Sequence, residues 1–235
     1  MRCKRCGRDA AATDKFCAEC GMFLRDAWVD QRLLVPLRLE LDGKHQEARR
    51  ELERLAEMEP DNALAQHMLG TVYYHQGTLD LAIERYERAL ELAPSFVVCA
   101  YDLGVAYYHR GNMPSAVRAY RRCLAIDPHY NAAHYRLAIA LFHAGELDQA
   151  MEHFEQCSTL TPEYLMARYH VGVIHERRDD MDAAAREFRA SMSEGIGEVS
   201  SVYHLAMIHR RRGDEQTATE LLQRARDFGR ATVAS

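Results

Sequence analysis

Residues 63–96 read ALAQHMLGTVYYHQGTLDLAIERYERALELAPSF, and this stretch decides the fold. Apolar residues recur at helical spacing from Leu64 to Val72, and the pattern ends at Gly77. Glycine can take the left-handed conformation that closes a helix. A second apolar pattern follows and stops at Pro94, because proline cannot continue a helix. The stretch therefore predicts two helices joined by a tight turn, with one apolar face that is too small to be buried alone.

The same marker residues return every 34 residues. They are prolines, glycines, small residues and aromatic residues, at Pro60, Pro94, Pro128 and Pro162, at Gly77, Gly111 and Gly145, at Ala82, Ala116 and Ala150, and at Tyr86, Tyr120 and Phe154. Because each hairpin must bury its apolar face on a neighbour, a repeat of this period predicts a stack of helix hairpins. Stacks of this kind mostly bind other molecules instead of transforming them.

The turns between the paired helices carry residues that suit their ends. Thr78, Asn112, Asp180 and Asp214 occupy matching places before the second helix of a pair. A side-chain oxygen there can accept a hydrogen bond from the first free amides of the helix, so each is predicted to be a cap. The fourth turn has Asp179 where the others have glycine.

Composition and charge indicate a globular protein. The chain has 235 residues, of which 48% are hydrophobic and 28% charged, with a net charge of −5. No basic stretch indicates nucleic-acid binding, so a nucleic-acid partner is not expected. No apolar run approaches the roughly 18–20 residues that span a bilayer, so membrane insertion is not expected either. The N-terminus, MRCKRCGRD, lacks the apolar region of a secretory signal, and a cytoplasmic location is expected.

The seven cysteines form two groups. Cys99, Cys123 and Cys157 stand alone in helical segments and are expected in the core, whereas Cys3, Cys6, Cys17 and Cys20 form two C-x-x-C-G units. Four thiolates at two tight turns can surround one tetrahedral Zn²⁺ at about 2.3 Å. So short a segment has almost no core, and the metal would supply folding energy on the order of 10 kcal/mol. We therefore predict one structural Zn²⁺ per chain; a redox or disulfide role is the alternative.

The repeated strings resemble the tetratricopeptide repeat. They are Leu69-Gly70, Tyr73, Gly77, Ala82, Tyr86, Ala89 and Pro94, then Leu103-Gly104, Tyr107, Gly111, Ala116, Tyr120, Cys123 and Pro128, then Leu137-Ala138, Leu141, Gly145, Ala150, Phe154, Cys157 and Pro162. The N-terminal cysteine segment resembles a short bacterial-type zinc ribbon. The resemblance implies an all-α fold, a right-handed α-solenoid of about five to six helix hairpins preceded by a small zinc ribbon.

The repeat register divides the chain into modules. They are a zinc-ribbon module at 1–25, a degenerate first repeat at 26–62, the array at 63–230 (units near 63–96, 97–130, 131–164, 165–198 and 199–230) and a tail at 231–235. Pro36 falls inside the first helix of the degenerate repeat and is expected to shorten or kink it. No capping helix is expected after the fifth unit. Self-association is therefore expected through the exposed side of Leu221, Leu222, Ala225 and Phe228.

The resemblance also implies a binding groove, because in this family the first helices of successive units line the concave surface. Carrying the register over places three rows there: His67, Tyr101, Tyr135, Tyr169 and Tyr203; Thr71, Val105, Ile139, Val173 and Met207; and Tyr74, His75, Tyr108, His109, Phe142 and His143. The second row is mostly aliphatic where members that clamp a terminal carboxylate place Asn and Lys, so no such clamp is expected. An apolar, aromatic-lined groove suits an amphipathic helix or an extended apolar peptide. The tyrosines are as compatible with packing as with ligand contact.

These features favour a non-catalytic interaction scaffold or adaptor that binds a peptide or protein, with the zinc module as a second contact. One alternative is a nucleic-acid-associated regulator that uses the basic residues of the ribbon, and another is a thiol-redox protein. No phosphate loop, nucleophile triad or paired acid and base is present, so enzymatic activity is not expected.

Overall fold

The computed structural model of the chain describes residues 9, 31–160, 165–192 and 198–233. Twelve α-helices lie in these residues: α1 Gln31–Leu41, α2 His45–Met58, α3 Ala63–His75, α4 Leu79–Leu92, α5 Val97–His109, α6 Met113–Ile126, α7 Asn131–Ala144, α8 Leu147–Leu160, α9 Leu165–Arg177, α10 Met181–Ala190, α11 Glu198–Arg211 and α12 Glu215–Val233. The prediction of an all-α fold is confirmed for this part of the chain. None of the described helices is both long enough and apolar enough to cross a membrane.

The chain divides into two compact units, which we call the N unit (Met1–Ala140) and the C unit (Leu141–Ser235). In the N unit consecutive helices pack on one another and bury Leu69, Tyr86 and Leu90. In the C unit the buried cluster includes Phe188, Leu205 and Ile208. The lone cysteines are all buried, at positions 99, 123 and 157. Each helix has one apolar face, and the core of each unit forms where neighbouring hairpins cover those faces.

Glycine closes most of the turns between paired helices because the backbone there is left-handed. Gly77, Gly111, Gly145 and Gly213 have φ between 77° and 83°. Asp179, in the fourth turn, has φ 62°. Aspartate is among the few residues that enter this region at modest cost, which explains why the turn forms without glycine.

Three of the four predicted caps form. The side chains of Asn112, Asp180 and Asp214 accept hydrogen bonds from the amides of Ser115, Ala183 and Thr217, at 3.2, 3.0 and 3.1 Å. The prediction for Thr78 is wrong. Its hydroxyl donates to the carbonyl oxygen of Tyr73 at 2.9 Å and makes no bond to the helix that follows.

The first and last helices differ from the other repeats. Helix α1 runs through Pro36, whose side chain is fully buried. Helix α12 continues through Gly229 to Val233, beyond the predicted end of the array at residue 230. No proline stops it, and this glycine lies inside the helix instead of closing it.

Glycines in the first helices let buried aromatic rings approach closely. A Cβ atom built on Gly70 would lie 2.8 Å from Cδ1 of Tyr86, and one built on Gly104 would lie 2.5 Å from Cε1 of Tyr120. Gly172 has the same relation to Phe188, at 2.8 Å from Cε1. These rings therefore lie directly against the helices that carry the predicted binding rows.

Candidate functional site

The predicted binding residues lie on the first helix of each hairpin, that is on α3, α5, α7, α9 and α11. The second row is half-buried throughout, at Thr71, Val105, Ile139, Val173 and Met207. The three histidines of the third row, at positions 75, 109 and 143, are exposed. Tyr203, at the end of the first row, has 51% of its surface exposed. Each unit thus offers part of the second row to solvent.

In the N unit the second row lies over buried tyrosines. The Tyr86 hydroxyl donates to Thr71 Oγ1 at 3.2 Å, and burial raises the pKa of this tyrosine. One repeat later Val105 takes the place of Thr71. The hydroxyl of Tyr120, 34 residues after Tyr86, is buried with no hydrogen-bond partner among the described residues. The change from threonine to valine removes an oxygen that could accept that bond.

His67 is held by its neighbours. Its Nε2 donates to Oδ2 of Asp102, on the next first helix, at 2.7 Å. The centroid of its ring lies 4.9 Å from that of Phe96 and 5.5 Å from that of Tyr86. This pairing links α3 to α5 and gives the side chain a structural role inside the N unit.

Aromatic side chains of the first and third rows also contact other rings of the N unit. The ring of Tyr101 lies 5.3 Å from that of Tyr130 and 6.0 Å from that of Tyr120. The ring of Tyr74 lies 5.8 Å from that of His109. These rings pack on their own neighbours, so their repetition does not by itself indicate a ligand.

A chain of hydrogen bonds crosses α9 and α11 in the C unit. His204 Nδ1 lies 2.6 Å from Oε2 of Glu176, and its Nε2 lies 3.3 Å from the Tyr169 hydroxyl. Because a carboxylate only accepts, Nδ1 carries the hydrogen on that side. The His204 ring also stacks on Phe188 at 4.8 Å between centroids. Its orientation is therefore fixed on three sides.

His170 lies one repeat before His204 and, like it, stacks on an aromatic ring. Its ring is parallel to that of Phe154, with 4.8 Å between centroids and 10° between planes, and lies 6.0 Å from Phe142. Burial, followed by the nearby charge of His143, lowers its pKa to about 4. The imidazole is consequently neutral at pH 7.

An open cavity of about 470 Å³ lies in the C unit, and charged side chains line much of it. Its lining residues are Glu176, Tyr203, His204, Met207, Arg210, Arg211 and Glu215. Of these lining residues, only Tyr203 and Met207 belong to the predicted rows. Glu176, Arg210 and Arg211 could have been found from the sequence, because positions 176–177 and 210–211 continue the row of Tyr74-His75 at the same 34-residue spacing, whereas His204 and Glu215 lie outside that register.

The predicted zinc ligands Cys3, Cys6, Cys17 and Cys20 lie outside the described residues. Within the part of the chain that the structure describes, no group of three or more His, Cys, Asp or Glu side chains is placed to hold a metal ion.

Comparison with known proteins supports the repeat assignment. A family model of the tetratricopeptide repeat matches residues 42–95 and 101–157. No curated protein sequence matches the chain. Similar solved structures include Pseudomonas aeruginosa PilF, with 18% identity, 85% of this chain and 91% of that chain covered, and a TM-score of 0.69. MamA (residue 41 to the end) from Desulfovibrio magneticus RS-1 has 24% identity, 71% and 96% coverage, and a TM-score of 0.64.

YrrB, a TPR protein, has 19% identity, covers 75% of this chain and 91% of its own, and has a TM-score of 0.64. At these identities the similarity establishes the fold. Together with the family match and the hairpins α3–α4 and α5–α6, it confirms the interpretation of the 34-residue spacing. Residues 42–95 and 101–157 therefore match the tetratricopeptide repeat in sequence, and they form helix hairpins like those of the solved tetratricopeptide-repeat structure.

Proposed function

We propose that the protein is a non-catalytic scaffold or adaptor that binds a peptide or helix along the second row. The observation that carries this proposal is the row itself: aliphatic side chains half-buried on successive first helices, at Val105 and Ile139 in the N unit and at Val173 in the C unit. Apolar side chains that are half-exposed on a fixed backbone can bury further surface on a ligand, at about 25 cal/mol per Å².

The packing beneath the row favours binding because it holds the surface in place. Tyr86 and Tyr120 are almost completely buried, and the glycines at 70 and 104 bring their rings against α3 and α5. A surface that is already ordered loses little conformational entropy when a ligand binds. The known fold neighbour YrrB is described as having an unusual peptide-binding site, which is consistent with a peptide ligand here.

The test is a pair of lysine substitutions in the second row. Val105→Lys together with Ile139→Lys should weaken binding of peptides selected from a phage-displayed dodecapeptide library by tenfold or more, since a tenfold change is only about 1.4 kcal/mol. Lysine can extend its charged end to solvent from a half-buried site, so the fold should be kept. Peptide affinity is measured by fluorescence anisotropy and folding by circular dichroism.

Leu81→Lys is the matched control, because Leu81 is 41% exposed on α4, a second helix. It should leave peptide affinity unchanged. Equal affinity of the wild type and the double-lysine variant, with both folded, would contradict the proposal.

We further propose that Cys3, Cys6, Cys17 and Cys20 hold one structural Zn²⁺ and form a second contact module. The C-x-x-C-G pairs support this, because four thiolates satisfy a tetrahedral ion and leave no open coordination position. Purified protein should contain about one zinc per chain by elemental analysis, as one four-ligand site requires. Its N-terminal thiols should react with Ellman's reagent only after chelation. Cys17→Ser should lose the metal, and metal-free protein with four thiols that react at once would exclude the site.

A further inference from the structure

We propose that the C unit recognises acidic side chains of an extended peptide through an arginine surface formed by Arg177, Arg210 and Arg211. This rests on the proposed function and deepens it by naming the chemistry of the ligand. In the N unit the third row consists of tyrosines and histidines, from Tyr74 to His109. At its last two matching positions, 176–177 and 210–211, the repeat register places the three arginines.

The long side chains of Arg177 and Arg211, on two different first helices, can meet alternate side chains of a strand. Arg177 and Arg211 are 34 residues apart, at the ends of the first helices α9 and α11. Packed helices have axes about 8–10 Å apart. In an extended peptide, side chains at i and i+2 lie on one face, about 6.6–6.8 Å apart. Two acidic residues at that spacing would each meet one guanidinium group.

The arginines at the cavity are available to a ligand. Arg210 Nε is 3.7 Å from Oε1 of Glu215, and the carboxylate side chain is 69% exposed. An exposed pair of this kind contributes little, so a peptide carboxylate can replace it. Arg211 Nη1 lies 3.8 Å from Met181 Sδ. Neither contact is a close bond to a buried carboxylate.

The cavity's other carboxylate is already engaged. Glu176 is 18% exposed and accepts a hydrogen bond from His204 at 2.6 Å. The guanidinium of Arg177 lies 4.1 Å from the centroid of the Phe142 ring, which orients it without neutralising its charge. Met207 and the half-exposed Tyr203 supply apolar surface between the charges. The surface therefore combines weakly paired positive charge with neighbouring apolar side chains, which suits an acidic peptide that also carries apolar residues.

Acidic side chains fit better than a peptide's terminal carboxylate. Arg210 and Arg211 are consecutive on a helix, so their side chains leave it about 100° apart and do not converge on one group. Several separate carboxylates match this arrangement. A single terminal carboxylate would meet one arginine only.

The experiment is a selection on the intact chain followed by a double-mutant cycle. Dodecapeptides selected from a phage-displayed random library should be enriched in Asp or Glu at i and i+2 beside aliphatic residues. A selected peptide is then synthesised with a C-terminal amide, and again with its two acidic residues changed to Gln. The double variant Arg177→Gln with Arg211→Gln should bind the acidic peptide about tenfold or more weakly than the wild type, and should bind the Gln peptide with unchanged affinity. Raising the salt concentration should shrink the difference.

Arg212→Gln is the matched control, because Arg212 is also exposed at the end of α11 but bonds Asp182 at 2.6 Å. It should not change the affinity of either peptide. Selected peptides without acidic enrichment, additive effects in the cycle, or binding that needs a free terminal carboxylate would each overturn the inference. If the row substitutions at 105 and 139 abolish binding while the cycle is additive, the proposed function stands and only the acidic preference fails.

Discussion

Replacing Gly104 with alanine should lower the free energy of unfolding by about 1–3 kcal/mol, the range typical of overpacked cores. The new Cβ would lie 2.5 Å from Cε1 and 2.6 Å from Cδ1 of Tyr120. The ring cannot turn aside, because Tyr120 is completely buried in the N unit. Chemical denaturation monitored by circular dichroism measures the loss.

The direction of the stability change shows whether the new methyl group clashes with the Tyr120 ring. In an unobstructed helix interior, alanine is favoured over glycine by about 1 kcal/mol. An increase in stability would therefore show that the ring does not approach α5 closely. The control combines Gly104→Ala with Tyr120→Leu, the combination that the fifth repeat already has at Ala206 and Leu222. The double variant should lose less unfolding free energy than the sum of the losses in the two single variants.

Acid should destabilise the C unit through His170. The pKa of this imidazole falls from 6.5 to about 4 on folding, so the unfolded chain binds the proton more tightly. The stabilisation from the neutral ring is complete above pH 6.5 and is lost as pH falls towards 4. Each pKa unit is worth about 1.4 kcal/mol, so a shift of this size corresponds to roughly 3 kcal/mol at the acid end.

His170→Gln isolates this contribution, because glutamine has no proton to gain. The difference in unfolding free energy between wild type and variant should change by about 3 kcal/mol between pH 7 and pH 4. Hydrogen bonds with Thr217 lower the pKa of the Asp214 carboxyl, so this group gains its proton at lower pH. Its contribution to stability is the same in the wild type and the variant and cancels when the two unfolding free energies are subtracted. A constant difference across this range, or an imidazole NMR titration near pH 6.5 in the folded protein, would contradict the account.

The sequence predicts the hairpins well because their signals are local and repeated. Gly77 and Pro94 mark the ends of α3 and α4 within a few residues, and the aromatic residues at 86 and 120 are buried as their position in the repeat indicates. The predicted cap at Thr78 does not form, because a threonine hydroxyl can turn to either neighbouring backbone. Here it bonds the carbonyl of the preceding helix.

Side-chain pairing could be predicted less well, since it depends on rotamers and on which helices meet. The bond from His67 to Asp102 joins residues 35 apart, one more than the repeat, because neighbouring rows meet across the helix interface. The link from Tyr169 to His204 has the same spacing. The arginine surface follows the repeat register, but a search for recurring tyrosine and histidine passes over it.

The most direct test of peptide binding on the first helices is photo-cross-linking. A benzophenone amino acid placed at Val105 should cross-link a library-selected peptide, whereas the same group at Leu81, exposed on α4, should not. Mass spectrometry of the adducts identifies the attached residue. Cross-linking from Val105 and none from Leu81 is the predicted result. The reverse, or equal yields from both positions, would contradict the claim that the second row is the binding surface.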